Sequence, residues 1–148
     1  MLEDLKSARL KRFYRYWDEK RHGRRAPGRR DIDPTEIADL LPNLFLLDVE
    51  DSPRRYRYRL VGTAFVHNYG EELTGRYVDD MDLGSFKDES LASLDHVVTG
   101  WVPSYIRGRF LKQDTRRLEF CRLALPLSSA GDRVDQIVGC MIFTVLER

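Results

Sequence analysis

The stretch that decides the fold spans residues 39–75 and reads DLLPNLFLLDVEDSPRRYRYRLVGTAFVHNYGEELTG. The apolar density of Leu44–Val49 predicts a strand, and the alternation of apolar residues with arginine over Tyr56–Val61 predicts a second one. A turn containing Pro53 separates the two. The spacing of apolar residues in Thr63–Tyr69 then predicts a short helix. Residues 39–75 therefore predict an antiparallel hairpin followed directly by a helix.

Antiparallel pairing would give the two faces of this hairpin different compositions. Tyr56, Tyr58 and Leu60 share one face with alternate apolar residues of the first strand, and that face is expected to point inward. The other face carries three arginines and two acids, which can pair across the strands: Arg55, Arg57, Arg59, Asp48 and Glu50. Leu44 and Leu46 also lie on this outer face. Another element must cover them, and we expect it to be the helix that precedes the hairpin.

The preceding sequence predicts an amphipathic helix over residues 2–22, ended by Gly23. Its apolar residues fall mostly three or four positions apart, and four of them form one stripe: Leu10, Phe13, Tyr16 and Trp17. Such a stripe is suited to burial. We expect it to pack on its own domain or to form the interface of a homodimer.

The net charge of +1 conceals a division between a basic start and an acidic remainder. Residues 6–30 contain eleven lysines and arginines against two acids, whereas residues 31–148 are acidic overall. We therefore divide the chain into an N-terminal basic and aromatic helix with its loop (1–30) and a single core domain (31–148). The basic segment either binds an anionic partner or docks on its own acidic core.

A second short helix is predicted to begin at Asp33 and Pro34, because aspartate is a favoured N-cap and proline suits the first helical turn. Glu36, three residues after Asp33, completes an arrangement that resembles a capping box. Pro42 is expected to end this helix, since its ring clashes with a continuing helical backbone.

The sequence after residue 75 predicts one longer helix and three strands. The helix is predicted over Phe86–Thr99 and is expected to stop at Gly100. The strands are predicted over Ser104–Lys112, Arg117–Leu127 and Val134–Leu146. The apolar phase of the second strand changes near Cys121–Arg122, which indicates either a bulge or a switch of environment. The third is apolar on both faces and is predicted to be the central strand. Hairpins at both ends with helices between them predict an α+β antiparallel sheet.

Length and composition limit the class of protein. A chain of 148 residues with 42% apolar residues fits one globular domain. Its two cysteines, Cys121 and Cys140, lie in apolar runs without metal-ligand spacing, which disfavours a disulfide scaffold or a zinc site. The sequence has no apolar run of membrane-spanning length, and its start lacks the apolar stretch of a signal peptide. A cytoplasmic location is therefore expected.

The order of these elements is similar to that of a PAS domain, and particular residues add to the resemblance. Residues 60–64 (LVGTA) and 73–75 (LTG) resemble the strand-to-helix step and the exit from the helical segment of a PAS core. The combination LLPNLFLLDVE, YRYRLVGTAF and LTGR, preceded by Trp17 and GRRDIDP (28–34), resembles short stand-alone PAS-like proteins found mainly in alphaproteobacteria. The resemblance implies a five-stranded antiparallel sheet in the order 2-1-5-4-3 with helices on one face. It also implies a bacterial sensory or regulatory role in signal transduction and self-association through the N-terminal helix.

The resemblance does not imply a cofactor, and the identity of any cofactor stays open. Flavin-photochemical PAS domains carry a reactive cysteine after the first short helices, where this chain has His67-Asn68-Tyr69. Haem-binding PAS domains place an axial histidine on the long helix, so His96 is kept as a minor candidate haem ligand. No metal site is predicted.

Two other classes of function stay open at this point. Isomerases and hydratases with a cone-shaped α+β fold use an Asp/His pair, for which the candidates here are Asp79, Asp80 and Asp82 with His67 or His96. A nucleic-acid module would use the aromatic residues interspersed in the basic arm. The aromatic residues have the spacing of a buried helix face, however, and the acidic core would repel phosphate. We therefore favour a non-catalytic sensory domain.

Any bound ligand is expected between the inner face of the sheet and the helices. The candidate cavity residues are Tyr56, Tyr58, Phe65, Tyr69, Met81, Leu94, Val98, Ile106, Phe110, Met141 and Phe143. Their mostly apolar character suits a small apolar ligand that is oriented by a few hydroxyl groups, or a signalling protein could be the partner instead. The same residues could equally fill the core.

Overall fold

The computed structural model describes residues 5, 7–81, 86–111 and 117–146. The helices in that part of the chain are α1 (Ala8–Lys20), α2 (Thr63–Tyr69) and α3 (Lys87–Gly100). Shorter 3-10 segments span Arg29–Asp31, Pro34–Asn43 and Val78–Asp80. The strands are β1 (Leu44–Glu50), β2 (Arg55–Val61), β3 (Ser104–Leu111), β4 (Arg117–Leu127) and β5 (Gln136–Leu146).

The strands form one antiparallel sheet in the order β2-β1-β5-β4-β3. This arrangement confirms the predicted fold class and strand order, including the central place of β5. Two apolar clusters lie on opposite faces of the sheet. The inner cluster packs residues of α2 and α3 on the sheet, and the outer cluster packs α1 and the Pro34–Asn43 segment on it.

The first hairpin has the predicted faces except at Leu60, which lies on the outer side instead of the face of Tyr56 and Tyr58. Phe45, Leu47 and Tyr56 are buried in the inner cluster, whereas Leu46 is buried in the outer one. The pairing of β1 with β2 contains one register shift, between Leu46 and Leu47. The extra residue of this bulge lies in β2, so Leu60 pairs with Leu46 and takes the outer face.

Of the two interpretations of the phase change in β4, the bulge is wrong and the switch of environment is confirmed. β4 pairs with β5 without interruption from Arg117↔Leu146 to Leu127↔Gln136. The apolar phase changes because Phe120 is buried in the inner cluster, whereas Leu123 and Leu125 are buried in the outer cluster. The strand is therefore regular, with both faces buried beyond this point, and Arg122 is a charged residue at a buried position of the inner face.

Helix α1 covers the outer face of the sheet. This agrees with the prediction from Leu44 and Leu46, which lie on that face and need a cover. Leu10, Phe13 and Trp17 are buried against the same cluster as Leu46. The indole Nε1–H of Trp17 donates to the Pro126 carbonyl of β4 at 2.8 Å. This docking corrects the alternative that Leu10, Phe13 and Trp17 form a dimer interface, because all three are at most 2% exposed within their own chain.

Salt bridges also join the basic N-terminal segment to acidic residues in the segment that follows it. The bridges are Arg12–Asp39, Lys20–Glu36 at 3.1 Å and Arg24–Asp31 at 2.9 Å. The fourth residue of the helix stripe, Tyr16, is partly buried and donates from its hydroxyl to Glu36 at 2.7 Å. The basic segment therefore docks on its own chain, one of the two outcomes that the charge division allows.

Several helix ends differ from the sequence prediction. Helix α1 begins at Ala8, after Ser7 as its N-cap, and not at residue 2. Asp33 caps the next segment by accepting from the Thr35 backbone N–H at 3.0 Å, and Glu36 is engaged with α1 instead of completing a capping box. The segment is a 3-10 helix that contains Pro42 and ends at Asn43. At the end of α3, Trp101 and not Gly100 takes the left-handed conformation, with φ of 55°.

In the described ranges, none of the helices combines the length and the apolar character that a membrane span requires.

Candidate functional site

A small cavity lies between the inner face of the sheet and helices α2 and α3. Its free volume is about 30 Å³. A water molecule needs roughly 10–15 Å³ of such space, so the cavity can hold two waters or a solute of similar size. The lining residues are Phe45, Leu47, Tyr58, Phe65, Tyr69, Val78, Phe86, Ser90, Leu94, Phe120, Arg122 and Met141.

Aromatic rings build the walls of this cavity. Phe65 of α2 contacts Phe45 edge-to-face at 5.6 Å between ring centroids, and it contacts Phe143 in the same way at 5.4 Å. Phe86 and Phe120 form a further edge-to-face pair at 6.0 Å. Interlocked aromatic pairs of this kind are rigid as well as apolar. The walls therefore hold a defined shape around the polar groups in the cavity.

Arg122 supplies the unusual chemistry of the site. Its side chain is 5% exposed, and its guanidinium donates from Nη1 to Ser90 Oγ of α3 at 2.7 Å and from Nη2 to Ser93 Oγ. Within the described ranges, no acceptor lies at its Nε–H and no carboxylate lies at ion-pair distance from it. A buried arginine is normally paired with an acid, and this one faces neutral hydroxyls.

Burial lowers the pKa of Arg122 from 12.5 to about 10. At neutral pH the guanidinium is therefore still protonated. The cavity holds a full positive charge in an apolar surrounding, which is an electrostatically costly arrangement unless an anion or a strong set of acceptors compensates it.

Two tyrosines, Tyr58 and Tyr69, also line this cavity. Burial raises the pKa of Tyr58 to about 12 and also raises the pKa of Tyr69. Both phenols therefore keep their protons at neutral pH. The guanidinium of Arg122 and the phenol of Tyr58 together favour a ligand that accepts hydrogen bonds.

The structure brings five of the predicted cavity residues to this cavity: Tyr58, Phe65, Tyr69, Leu94 and Met141. Tyr56, Met81 and Val98 belong to the surrounding inner cluster, with Ile106 and Phe143 packed against it. Tyr56 donates from its hydroxyl to Asp95 of α3, which ties β2 to that helix. The side chain of Phe110 lies outside the described residues.

Sequence reasoning missed the polar part of the site. Arg122 and Ser90 were not among the candidates, because an arginine in a strand usually faces solvent and a serine in a helix carries no pattern. The one available indication was the break in apolar phase near Cys121–Arg122. Read as a buried charge instead of a bulge, that break would have pointed to the cavity.

The histidine and aspartate candidates do not converge. His96 and His67 are exposed, so His96 does not point into the cavity as a haem ligand would. Asp79 and Asp80 form ion pairs with Arg55 of β2, both at 3.1 Å. Asp82 lies outside the described residues. Neither the haem candidate nor the Asp/His catalytic pair is supported by the positions of these described side chains.

The residues present do not fit a flavin either. A flavin needs a pocket of roughly several hundred Å³, and the cavity offers about 30 Å³. Neither cysteine lines it, since Cys140 is buried in the outer cluster and Cys121 packs against that cluster. Among the described residues, no three side chains with metal-ligating groups lie together.

A second, open cleft lies on the outer side, between the Pro34–Asn43 segment and strands β1, β2 and β5. Its volume is about 580 Å³, and its lining is mostly apolar. Leu41 and Leu60 belong to it and are 41% and 53% exposed. Arg29 is the charged residue at this cleft, and its Nη1 donates to the Ile32 carbonyl at 3.1 Å. The cleft therefore lacks the buried polar groups that distinguish the inner cavity.

Comparison with known proteins gives a family match and several similar folds. A family model described as PAS domain matches residues 5–142. No curated protein sequence matches the chain.

The similar solved structures include light-oxygen-voltage (LOV) and PAS domains from bacteria. The LOV domain of a blue-light activated histidine kinase from Erythrobacter litoralis is 15% identical, with a TM-score of 0.55 over 70% of this chain and 96% of that chain. The Rhodobacter sphaeroides LOV protein is 14% identical, with a TM-score of 0.55 over 79% of this chain and 70% of that chain. A PAS domain from Colwellia psychrerythraea is 10% identical, with a TM-score of 0.55 over 74% of this chain and 95% of that chain. At these identities the similarity shows the fold alone.

Proposed function

Because this chain belongs to the PAS domain family, whose members typically serve sensory signal transduction, we propose that it is a non-catalytic sensory domain. Its inner cavity binds a small ligand, and occupancy of the cavity controls the docking of α1. Residues 1–30 act as the regulatory arm, and residues 31–148 act as the sensing core.

The observation that carries this proposal is the double role of β4. Successive residues of a strand point to opposite faces of the sheet. Arg122 lines the cavity on the inner face, whereas Leu123 and Leu125 are fully buried in the outer cluster that contains α1. The Pro126 carbonyl of the same strand accepts from Trp17 of α1. One strand thus contacts both the cavity and the helix.

This arrangement supports a simple mechanism. A ligand that neutralises or fills the polar part of the cavity stabilises β4 in its regular position. The outer surface of β4 then keeps the contacts that hold α1. Without the ligand, the population with α1 released increases, since a ligand shifts an equilibrium toward the state that binds it better.

Binding is tested by nuclear magnetic resonance with a library of small molecules. A cavity ligand is expected to shift the resonances of Tyr58 and Leu94 and the indole N–H resonance of Trp17. Met141→Phe, which adds volume at the cavity wall, should abolish these shifts. Leu60→Phe, at an exposed position on the other side, should leave them unchanged. Ligands whose shifts map to the outer cleft and survive Met141→Phe would disprove the cavity as the site.

The alternative functions have less support. An enzyme of the isomerase or hydratase type needs an acid and a histidine in one cavity, and the described Asp79 and Asp80 are paired with arginine instead. A nucleic-acid module would need the basic arm free. Arg12 and Arg24 of that arm already pair with acids of the core segment.

The assembly and location of the protein belong to the same proposal. We expect a homodimer, for which light scattering should give about twice the chain mass of 17.4 kDa. Its contacts must lie elsewhere than on Leu10, Phe13 and Trp17. A cytoplasmic setting is consistent with two cysteines that are both free. A downstream signalling protein is the expected partner of the released α1.

A further inference from the structure

Arg122 carries a buried charge that has no acidic partner among the described residues. Its two described side-chain partners, Ser90 and Ser93, are neutral. Glu89 acts on it electrostatically but is exposed and lies beyond ion-pair distance. Within the described part of the chain, the Nε–H has no acceptor. It is energetically costly to leave a buried donor of a charged group without an acceptor. The residue that carries this donor lines a cavity.

A purely structural role explains only part of this arrangement. The hydrogen bonds to Ser90 and Ser93 tie β4 to α3, and neutral side chains could do the same without burying a charge. Those bonds leave the Nε–H unused. Arginine presents Nε–H and a neighbouring Nη–H as a planar fork that matches the two oxygens of a carboxylate.

We propose that the cavity binds a small planar oxyanion of the carboxylate class, with three or four heavy atoms, on the Nε side of the Arg122 guanidinium. The inference rests on the proposed sensory function and specifies the ligand class of the same site. The free volume of about 30 Å³ sets the size limit. Tyr58, which lines the cavity as a neutral phenol, is the additional donor, and the aromatic walls exclude water from the ion pair.

The experiment is a thermal unfolding titration of the full chain. Sodium formate and sodium acetate are the probes, with sodium chloride added to hold the ionic strength constant. We expect a saturable rise in the unfolding temperature with formate or acetate, as binding to the folded state alone requires. Succinate, which is too large for the cavity, should give no rise, and neither should acetamide, the neutral counterpart of acetate.

Two variants assign the effect to the site. Arg122→Met should weaken binding by roughly 10-fold to 100-fold, the usual effect of losing hydrogen bonds from a charged group. Arg59→Met removes an exposed charge instead and should bind like the unmodified protein. If Arg122→Met does not fold, Tyr58→Phe replaces it, since it removes only one phenol donor and should weaken binding by about 10-fold.

The outcomes separate this inference from the proposed function. Equal responses to formate, acetate and chloride, or an acetate response that Arg122→Met retains, would overturn the oxyanion site. A response to acetamide equal to that of acetate would overturn it too, while leaving a cavity that senses neutral molecules. A carboxylate response that is saturable, limited by size and lost in Arg122→Met would establish the site.

Discussion

Replacing Arg122 by methionine should make the ligand-free protein more stable, although it removes two buried hydrogen bonds. Methionine keeps an extended side chain of similar length and removes the charge. Burial lowers the pKa of Arg122 from 12.5 to about 10, which corresponds to a cost of about 3 kcal/mol for keeping the guanidinium charged in the folded state at neutral pH.

The lost hydrogen bonds oppose this gain. Each bond to Ser90 and Ser93 contributes about 1 kcal/mol net. Ser93 retains a partner, because its hydroxyl also donates to the Ser90 carbonyl at 2.8 Å. The balance is a stabilisation of about 1 kcal/mol, in the direction observed when buried ionic groups are replaced by apolar ones of similar volume.

The assay is urea unfolding at pH 7 in a buffer without carboxylates. The midpoint for Arg122→Met should move to higher urea at an unchanged slope. Arg59→Met serves as the control and should change the free energy of unfolding by less than about 0.5 kcal/mol, because Arg59 is exposed. A loss of 2 kcal/mol or more in Arg122→Met would refute the reasoning, since it would show that the charge is already compensated within the chain.

Three further predictions concern the frame around the site. Gly62→Ala should destabilise the protein by about 3 kcal/mol or more in urea unfolding, because its Cβ would lie 2.3 Å from two backbone carbonyl oxygens. Gly70→Ala is the control: its Cβ would meet no other atom, so only the left-handed backbone conformation should cost stability, about 1 kcal/mol. Trp17→Phe should cost about 1–3 kcal/mol, since it leaves the Pro126 carbonyl without its 2.8 Å donor, and no loss would show that α1 is not docked in solution. Accepting a backbone N–H lowers the pKa of Asp31 in the folded state, so the stability that it contributes is present at pH 7 and is lost as the pH falls below about 4. The difference in unfolding temperature between the unmodified protein and Asp31→Asn should therefore shrink between pH 5 and pH 3, and a constant difference would contradict this role.

The fold could be predicted from sequence where local pattern and long-range packing agree. The alternation of arginine and tyrosine in β2 is typical of a strand with one solvent-exposed face. The predicted bounds of α2 match the observed helix Thr63–Tyr69. The leucines on the outer face of β1 required a cover, and α1 supplies it. In each case burial of apolar surface leaves one arrangement that satisfies the pattern.

The site could be predicted only in its apolar part. Tyr58, Phe65 and Leu94 lie where inward-facing residues of a strand and two helices must meet. Arg122 could not be placed in the same way, because periodicity arguments assign charged residues to the solvent face. Its burial depends on Ser90 and Ser93, which are brought near β4 only by the packing of α3 on the sheet.

The central claim is that the cavity on one side of β4 controls the helix on the other side. Its most direct test is amide hydrogen exchange of α1, measured at one pH with and without saturating sodium formate. Ligand binding should slow the exchange of the α1 amides at least about twofold, because it shifts the population toward docked α1, and Arg122→Met should show no such change. Protection confined to the cavity residues, with α1 exchanging at the same rate in both conditions, would contradict the claim.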